Sequence, residues 1–415
     1  LVDALLADLE ACVVGAGTVL RDASGSLAFF TATELPDEVV ERASTHIRER
    51  LGAYARRDRV IADRRAVGAD RVLSDPTALA VTVGSLTLRY LDRRVVGTDW
   101  QMGASLIQER PPRFVFASLK GGVGRSTALS VVAAEAARQG RNVLVVDLDL
   151  EAPGIGSMLL TEDRLPDYGT VDYLVEANLS PIAGVEIDAL TGTSPLTAGA
   201  GLVNVAPVFG KRTLAAPENY LAKVSRAMTE AVLPHGQRVP LREKISGLLE
   251  SLEARRRYDI VLVDSRAGLA ELTAGPLLGL GATVLLFGTA QRQTLEGLRM
   301  LLAHLRSLPT DGPPLRALKM VHAKAHHEPS LLAFKDDLWD LFSEYVYEEQ
   351  DGIEGFNFGP DDPAAPHDPI LIPLDPAFAD WDPTAEPSKL LEPYYTRSFG
   401  DLLKYVADSL PVDKA

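Results

Sequence analysis

An apolar strand that runs straight into a glycine-rich loop, and from there into a helix, constrains this chain more than any other feature. Phe114-Val115-Phe116-Ala117 leads into Ser118-Leu119-Lys120-Gly121-Gly122-Val123-Gly124-Arg125-Ser126-Thr127, and Ala128 to Arg138 then has the pattern of a helix. Glycines there let backbone N–H groups turn inward on a phosphate chain, the helix N-terminus faces that charge, and the Ser126 hydroxyl can ligate Mg2+. The alternative is a glycine-rich turn with no ligand. Two positions depart from the strict phosphate-loop pattern: Leu119 stands where the first Gly is expected and Arg125 where the Lys is expected. Arginine keeps the charge and offers a planar fork to phosphate oxygens, but it is bulkier than an ammonium.

Short apolar runs alternate with helical patterns from Phe114 onward, which is the signature of a parallel sheet with crossover helices. Strands are expected at Phe114–Ser118, Val143–Leu148, Leu202–Ala206, Ile260–Asp264, Thr283–Phe287, Ala317–His322 and Ile370–Pro373. Several are polar only at their C-terminal ends, the edge where a doubly wound sheet binds ligands. Residues 1–102 read as a smaller α/β domain: a short helix through Leu6 and Leu9, strands at Val13–Leu20, Leu27–Phe30, Ala80–Val83 and Leu86–Leu91, and a helix carrying Val39, Ala43, Ile47, Leu51 and Tyr54 on one stripe. Residues 103–113 look like a linker, and 114–415 form the larger domain. Within the latter, Glu344 to Ser388 is acidic, has eight prolines and lacks Lys and Arg. It reads as an ordered loop or lid, or as a flexible insertion.

Two further strands end in carboxylates. Val143-Leu144-Val145-Val146 is followed by Asp147-Leu148-Asp149, and strand alternation puts both Asp side chains on one side of the chain. An Asp at a strand end is otherwise a turn former or a helix cap. Tyr258-Asp259-Ile260-Val261-Leu262-Val263-Asp264 has the Walker B form, with Asp264 placed to hold Mg2+ through water.

On these residues the chain, from about Phe114 to its end, resembles the ParA/MinD group of P-loop ATPases, whose deviant Walker A motif carries a second lysine before the glycine pair. Lys120 occupies that position, and Lys120-Gly121-Gly122-Val123-Gly124-Arg125-Ser126-Thr127 is similar to the KGGVGR variant of the group. The resemblance implies a doubly wound, mainly parallel α/β sheet, ATP and Mg2+ as ligands, and a homodimer in which Lys120 reaches across a nucleotide sandwich to the partner's phosphates. It further implies that Asp149 orients the attacking water, that Asp147 supports the Mg2+ shell with Ser126 and Asp264, and that Glu151-Ala152-Pro153-Gly154 is a switch segment. After Asp264 the group commonly has a proline-containing turn, whereas this chain has Ser265-Arg266-Ala267-Gly268. Arg266 is expected to serve as an internal arginine finger, as a switch contact to a partner, or in an ion pair with a neighbouring Asp. The adenine-reading Asn of the group is replaced by Ala323, the guanine-reading Asn-Lys-x-Asp pattern is absent, and Ile370 to Pro376 is a candidate wall for the base.

Composition and minor motifs narrow the function classes. Cys12 is the sole cysteine, so one chain cannot hold a cysteine-built zinc site or an iron–sulfur cluster. Asp plus Glu total 57 against 42 for Lys plus Arg, a net charge of −15 that disfavours nucleic acid as a partner. No apolar run has the length of a membrane span, and the amphipathic C-terminal helix has a nearly neutral polar face, so a membrane partner is not expected and a cytoplasmic protein is. The arginines from Arg48 to Arg65 interleave with acids and read as a salt-bridged face. His322, His326 and His327 read as a polar loop rather than a metal cluster, and Gly15-Ala16-Gly17 as a turn. The expected function is a Mg2+-dependent, slowly hydrolysing ATPase that acts as a dimerisation switch. The alternative is a non-hydrolysing nucleotide switch or scaffold that recruits a protein partner, for example through the N-terminal domain, in a bacterial signalling or defence system. Arg125 divides the two.

Overall fold

The computed structural model describes residues 1–93, 97–107, 111–179, 185–195, 201–232, 238–308, 317–326, 328–347, 356–379, 381–391 and 393–411. The chain divides into two compact units, Leu1–Thr98 and Asp99–Ala415. Residues 99–107 therefore belong to the second unit rather than to the end of the first and a linker. Asp99 N donates to Glu271, and Ser105 N and Oγ donate to the carbonyls of Leu278 and Gly279.

The first unit is a five-stranded mixed sheet. Its strands are β1 (Thr18–Arg21), β2 (Leu27–Thr31), β3 (Ile61–Asp63), β4 (Leu79–Val83) and β5 (Leu86–Asp92), in the order β3-β2-β1-β5-β4. Helices α1 (Val2–Leu6), α2 (Ala11–Gly15) and α3 (Asp37–Leu51) cover one face through Leu5, Val14 and Ile47. The short helix α4 (Ala69–Leu73) packs against Leu20, Phe30 and Leu91 on the other. The expected strand from Val13 is corrected: Ala11–Gly15 is helical, because an apolar run of this length has no periodicity to separate strand from helix. The strand starts only beyond Gly17, where a Cβ would lie 2.2 Å from the Phe29 ring. Strand β3 was not anticipated, since its three residues sit between charged flanks. Of the arginines between Arg48 and Arg65, Arg65 pairs with Asp63 and Arg56 with Asp58.

The second unit is built on an eight-stranded sheet. Its strands are β6 (Arg113–Ser118), β7 (Val143–Asp147), β8 (Gly192–Thr193), β9 (Val203–Ala206), β12 (Ile260–Ala267), β13 (Thr283–Gly288), β14 (Leu318–Ala325) and β15 (Ile370–Pro373); β10 (Ala231–Val232) and β11 (Arg238–Val239) form a separate ribbon. The order is β15-β14-β13-β6-β12-β7-β9-β8, parallel except for β8. Alternation along β6 explains the layering. Val115 and Ala117 face one buried cluster with Leu248, Leu298 and Leu302, while Phe114 and Phe116 face another with Leu129, Phe399 and Leu402. Helix α5 (Arg125–Arg138) is alanine-rich and nearly wholly buried, which lets it lie close on the sheet beneath the amphipathic helix Thr396–Asp408. Truncating Phe116 to Ala should cost about 3–5 kcal/mol by the usual cavity penalty.

Part of the acidic 344–388 stretch lies outside the described residues. The rest joins the body: β15 is a sheet strand, and His367 is buried against Tyr347. His322, expected in a polar loop, is buried in β14 against Phe334, and among the described residues no cluster of His, Cys, Asp or Glu can hold a metal by itself.

Asp99 gives this unit a testable pH dependence. Burial, reinforced by Glu271, pushes its carboxyl up to about 7, and its Oδ1 has no hydrogen-bond partner. A carboxyl raised in the native state takes up a proton on folding, so its contribution to stability is lost as pH rises from the unfolded value through about 7. Asp99→Asn should therefore raise the melting temperature more at pH 8 than at pH 5. Equal shifts at both pH values would assign Asp99 another role.

Candidate functional site: a phosphate loop with an inward-turned arginine

Sheet order places the site. β6 is flanked by β13 and β12, and β12 by β7, so Asp264, three residues before the end of β12 at Ala267, lies directly beside Asp147 at the end of β7 and near Ser118 at the end of β6. The loop from Leu119 to Gly124 leaves β6 at that edge. Gly122 and Gly124 adopt φ of +71° and +89°, which side chains rarely tolerate, and a Cβ on either would meet no protein atom within 4 Å. Gly124 is the N-cap of α5, so the first N–H groups of a long buried helix open toward the loop.

Ser126 Oγ donates to Asp264 Oδ2 at 2.6 Å, while Asp264 Oδ1 is buried without a hydrogen-bond partner. Asp147 is fully buried and accepts N–H bonds from Asp149 (3.0 Å) and Gly154 (3.3 Å). Burial pushes the carboxyls of Asp147 and Asp264 up, and their mutual proximity adds to this at Asp147, while Arg125 and Ser126 oppose it at Asp264. Asp149 Oδ1 accepts from Ala152 N at 3.2 Å, which holds the turn at Glu151–Gly154.

The two loop cations behave differently. Lys120 is exposed and donates to Gln291 Oε1 at 2.8 Å, a neutral acceptor at the N-cap of the helix Arg292–Ser307. Arg125 is only 9% exposed and turned inward. Its Nη1 donates to Ser118 Oγ at 3.1 Å, its Nη2 to Asp149 Oδ2 at 3.1 Å, and its Nε lies 3.5 Å from Asp264 Oδ1. Asp147, Asp149, Asp264, Ser126 and Arg125 lie together at this edge, and neither the pairing of Arg125 nor the Lys120–Gln291 bond is visible in the sequence. Arg266 forms an ion pair, not with a neighbouring Asp as expected but with Glu151.

Beside the loop lies a cavity of about 360 Å³ lined by Gly122, Gly124, Thr127, Lys324, Leu374, Asp375 and Phe378. Ile372 to Asp375 contribute to its wall, at the place read as a wall for the base. Asp375 is committed inside the fold, accepting from Ala377 N and Ser398 Oγ. Ala323 is buried in the core and offers the cavity no polar group.

The model of the ParA family described as NUBPL iron-transfer P-loop NTPase matches residues 112–193, which span β6, the loop, α5, β7 and the chain through Glu151–Gly154 to β8. Fold, loop and this match define a ParA/MinD-type P-loop NTPase fold in the second unit. No curated protein matches the chain in sequence. Among solved structures, a ParA family ATPase from Chlorobium tepidum is similar at 17% identity, with 72% of this chain and 100% of that one covered and a TM-score of 0.47. The cell division ATPase MinD of Pyrococcus furiosus is similar at 17% identity, 72% and 99% coverage and a TM-score of 0.45. The pNOB8 ParA bound to nonspecific DNA is similar at 16% identity, 72% and 98% coverage and a TM-score of 0.43.

Proposed function

We propose that the second unit binds ATP with Mg2+ on the Gly121–Thr127 loop, hydrolyses it slowly, and uses the bound state to control homodimerisation through Lys120. The observation that carries the binding step is the open loop itself. Two glycines at positive φ lead into the N-terminus of α5, with Ser126 and the half-satisfied Asp264 at its foot. That donor set fits a divalent cation: Ser126 Oγ would be a direct ligand, Asp264 would hold the ion through water with Asp147 behind it, and the phosphates would complete the shell. When bound, the ion supplies charge neutralisation at the terminal phosphates. The chain's residues do the rest: backbone N–H groups of Gly121 to Thr127 orient the phosphates, Arg125 meets their charge once released from Asp149, and Asp149 accepts a proton from the attacking water.

The Arg125–Asp149 ion pair favours a second reading, a switch that binds nucleotide with negligible turnover, because the water-orienting carboxylate is already engaged. The first unit supplies partner contacts in either case. The net charge of −15 is an average over the whole chain and sets no limit on a local basic patch, so it does not decide against nucleic acid. No described helix is long and apolar enough to cross a membrane.

Titration calorimetry with ATP tests binding. In Mg2+ the wild type should bind, and Ser126→Ala should bind at least about tenfold more weakly, since a lost ligand to the ion removes a charge-assisted contact. In EDTA the two should converge. Equal affinity of both proteins in Mg2+ would place the nucleotide elsewhere.

A further inference from the structure

The loop arginine is engaged by the carboxylates that the reading above assigns to the cation and the water. A guanidinium presents N–H groups along several edges, and Arg125 uses them on Ser118 Oγ, Asp149 Oδ2 and the neighbourhood of Asp264 Oδ1 together. A lysine ammonium is a compact point of charge and cannot span three acceptors held on two different strands and the chain beyond a third. Around this fork lie Asp147, Asp149 and Asp264, all buried, and Arg125 is the cation that the structure pairs with Asp149 and Asp264. Moving Arg125 onto a phosphate would leave those two carboxylates uncompensated in a low-dielectric site.

We propose that Arg125 exchanges partners during binding: without nucleotide it is the counter-ion of Asp149 and Asp264, and a polyphosphate engages it only by opening the Arg125–Asp149 pair, with the incoming divalent cation taking over Asp264. The inference rests on reading the loop as a nucleotide site. It makes Asp149 a restraint on binding as well as a group for hydrolysis. The departure from lysine at this position then couples nucleotide entry to metal entry.

A double-mutant cycle on ADP affinity in EDTA isolates the pair from the bare charge of Asp149. In the otherwise unaltered chain Asp149→Asn should tighten Mg2+-free ADP binding about tenfold, and alongside Arg125→Gln the same change should tighten it no more than about threefold, a coupling in the range found for contacting charges. Asp149→Ser, with a smaller neutral side chain, is held to the same outcome should the Asn variant fold poorly. Equal tightening in both backgrounds would overturn the proposal, because Asp149 would then act only as a negative charge near phosphate. No tightening in the unaltered background would overturn it too, since the pair would not be opened by the ligand. A wild type that binds no ADP even with Mg2+ would instead overturn the nucleotide site itself, and the partner exchange with it.

Discussion

Replacing Gly124 with valine is expected to lower ATP affinity by at least about 100-fold while leaving the second unit folded, since strain at one left-handed residue costs only about 1–2 kcal/mol. The two halves of that expectation come from different observations. Gly124 sits at φ +89°, so a β-branched residue is strained there whatever its surroundings. A Cβ at this position nonetheless meets nothing within 4 Å, so the core is undisturbed. The open space beside it is where the phosphates would approach the N–H groups that begin α5, and valine fills it. Calorimetry for affinity and a thermal melt for folding check both halves. Retained affinity would remove the loop from the account, and loss of the melting transition would show that Gly124 is needed for the fold.

Asp149→Ala should reduce ATP turnover by about 100-fold or more, the scale of removing a general base, without weakening Mg2+–ATP binding. Asp149 lies two residues beyond β7; its backbone N–H donates to Asp147 Oδ1, and its carboxylate accepts from Ala152 N and Arg125, which positions it. Its pairing with Arg125 adds a sign to the binding side: affinity should be undiminished or tighter in the variant, because a competing partner of the arginine is gone. Single-turnover hydrolysis and equilibrium binding on the same preparation separate the two effects. Unchanged turnover would leave Asp149 a structural role only, and a wild type with no hydrolysis above background would transfer the account to the non-hydrolysing switch.

The second unit was legible from sequence where strand, loop and charge fall within one short window. β6 with its loop, β7 ending at Asp147 and β12 passing through Asp264 all announce themselves as fully apolar runs closed by polar residues, the pattern of buried parallel strands. The first unit was less so. At Ala11–Gly15 an apolar stretch of helix and strand character is settled only by packing, and β3 is too short to carry a pattern. Contacts between distant segments left no local mark. Arg125 could be recognised as the loop cation, but its turn toward Asp149 and Asp264 depends on three strand ends meeting at one edge. Lys120 on Gln291 and Arg266 on Glu151 are of the same kind. His322 shows the opposite error, where a polar residue near a strand end was read as loop although the strand continues past it to Ala325.

Bound nucleotide is expected to control dimerisation through Lys120. Two faces that each carry phosphate charge, on a chain of net charge −15, repel one another unless a cation crosses between them. Lys120 is suited to that task because it is exposed and, among the described residues, tethered to the neutral Gln291 amide, a contact that costs little to give up. Arg125, buried among carboxylates of its own chain, is not. Sedimentation of the wild type and of Lys120→Ala, each with and without a non-hydrolysable ATP analogue and Mg2+, is the direct measurement. The account predicts a wild type that passes from monomer to dimer on adding the analogue, and a Lys120→Ala variant that binds the analogue yet stays monomeric; a dimer that forms equally in nucleotide-free wild type and in Lys120→Ala would contradict it.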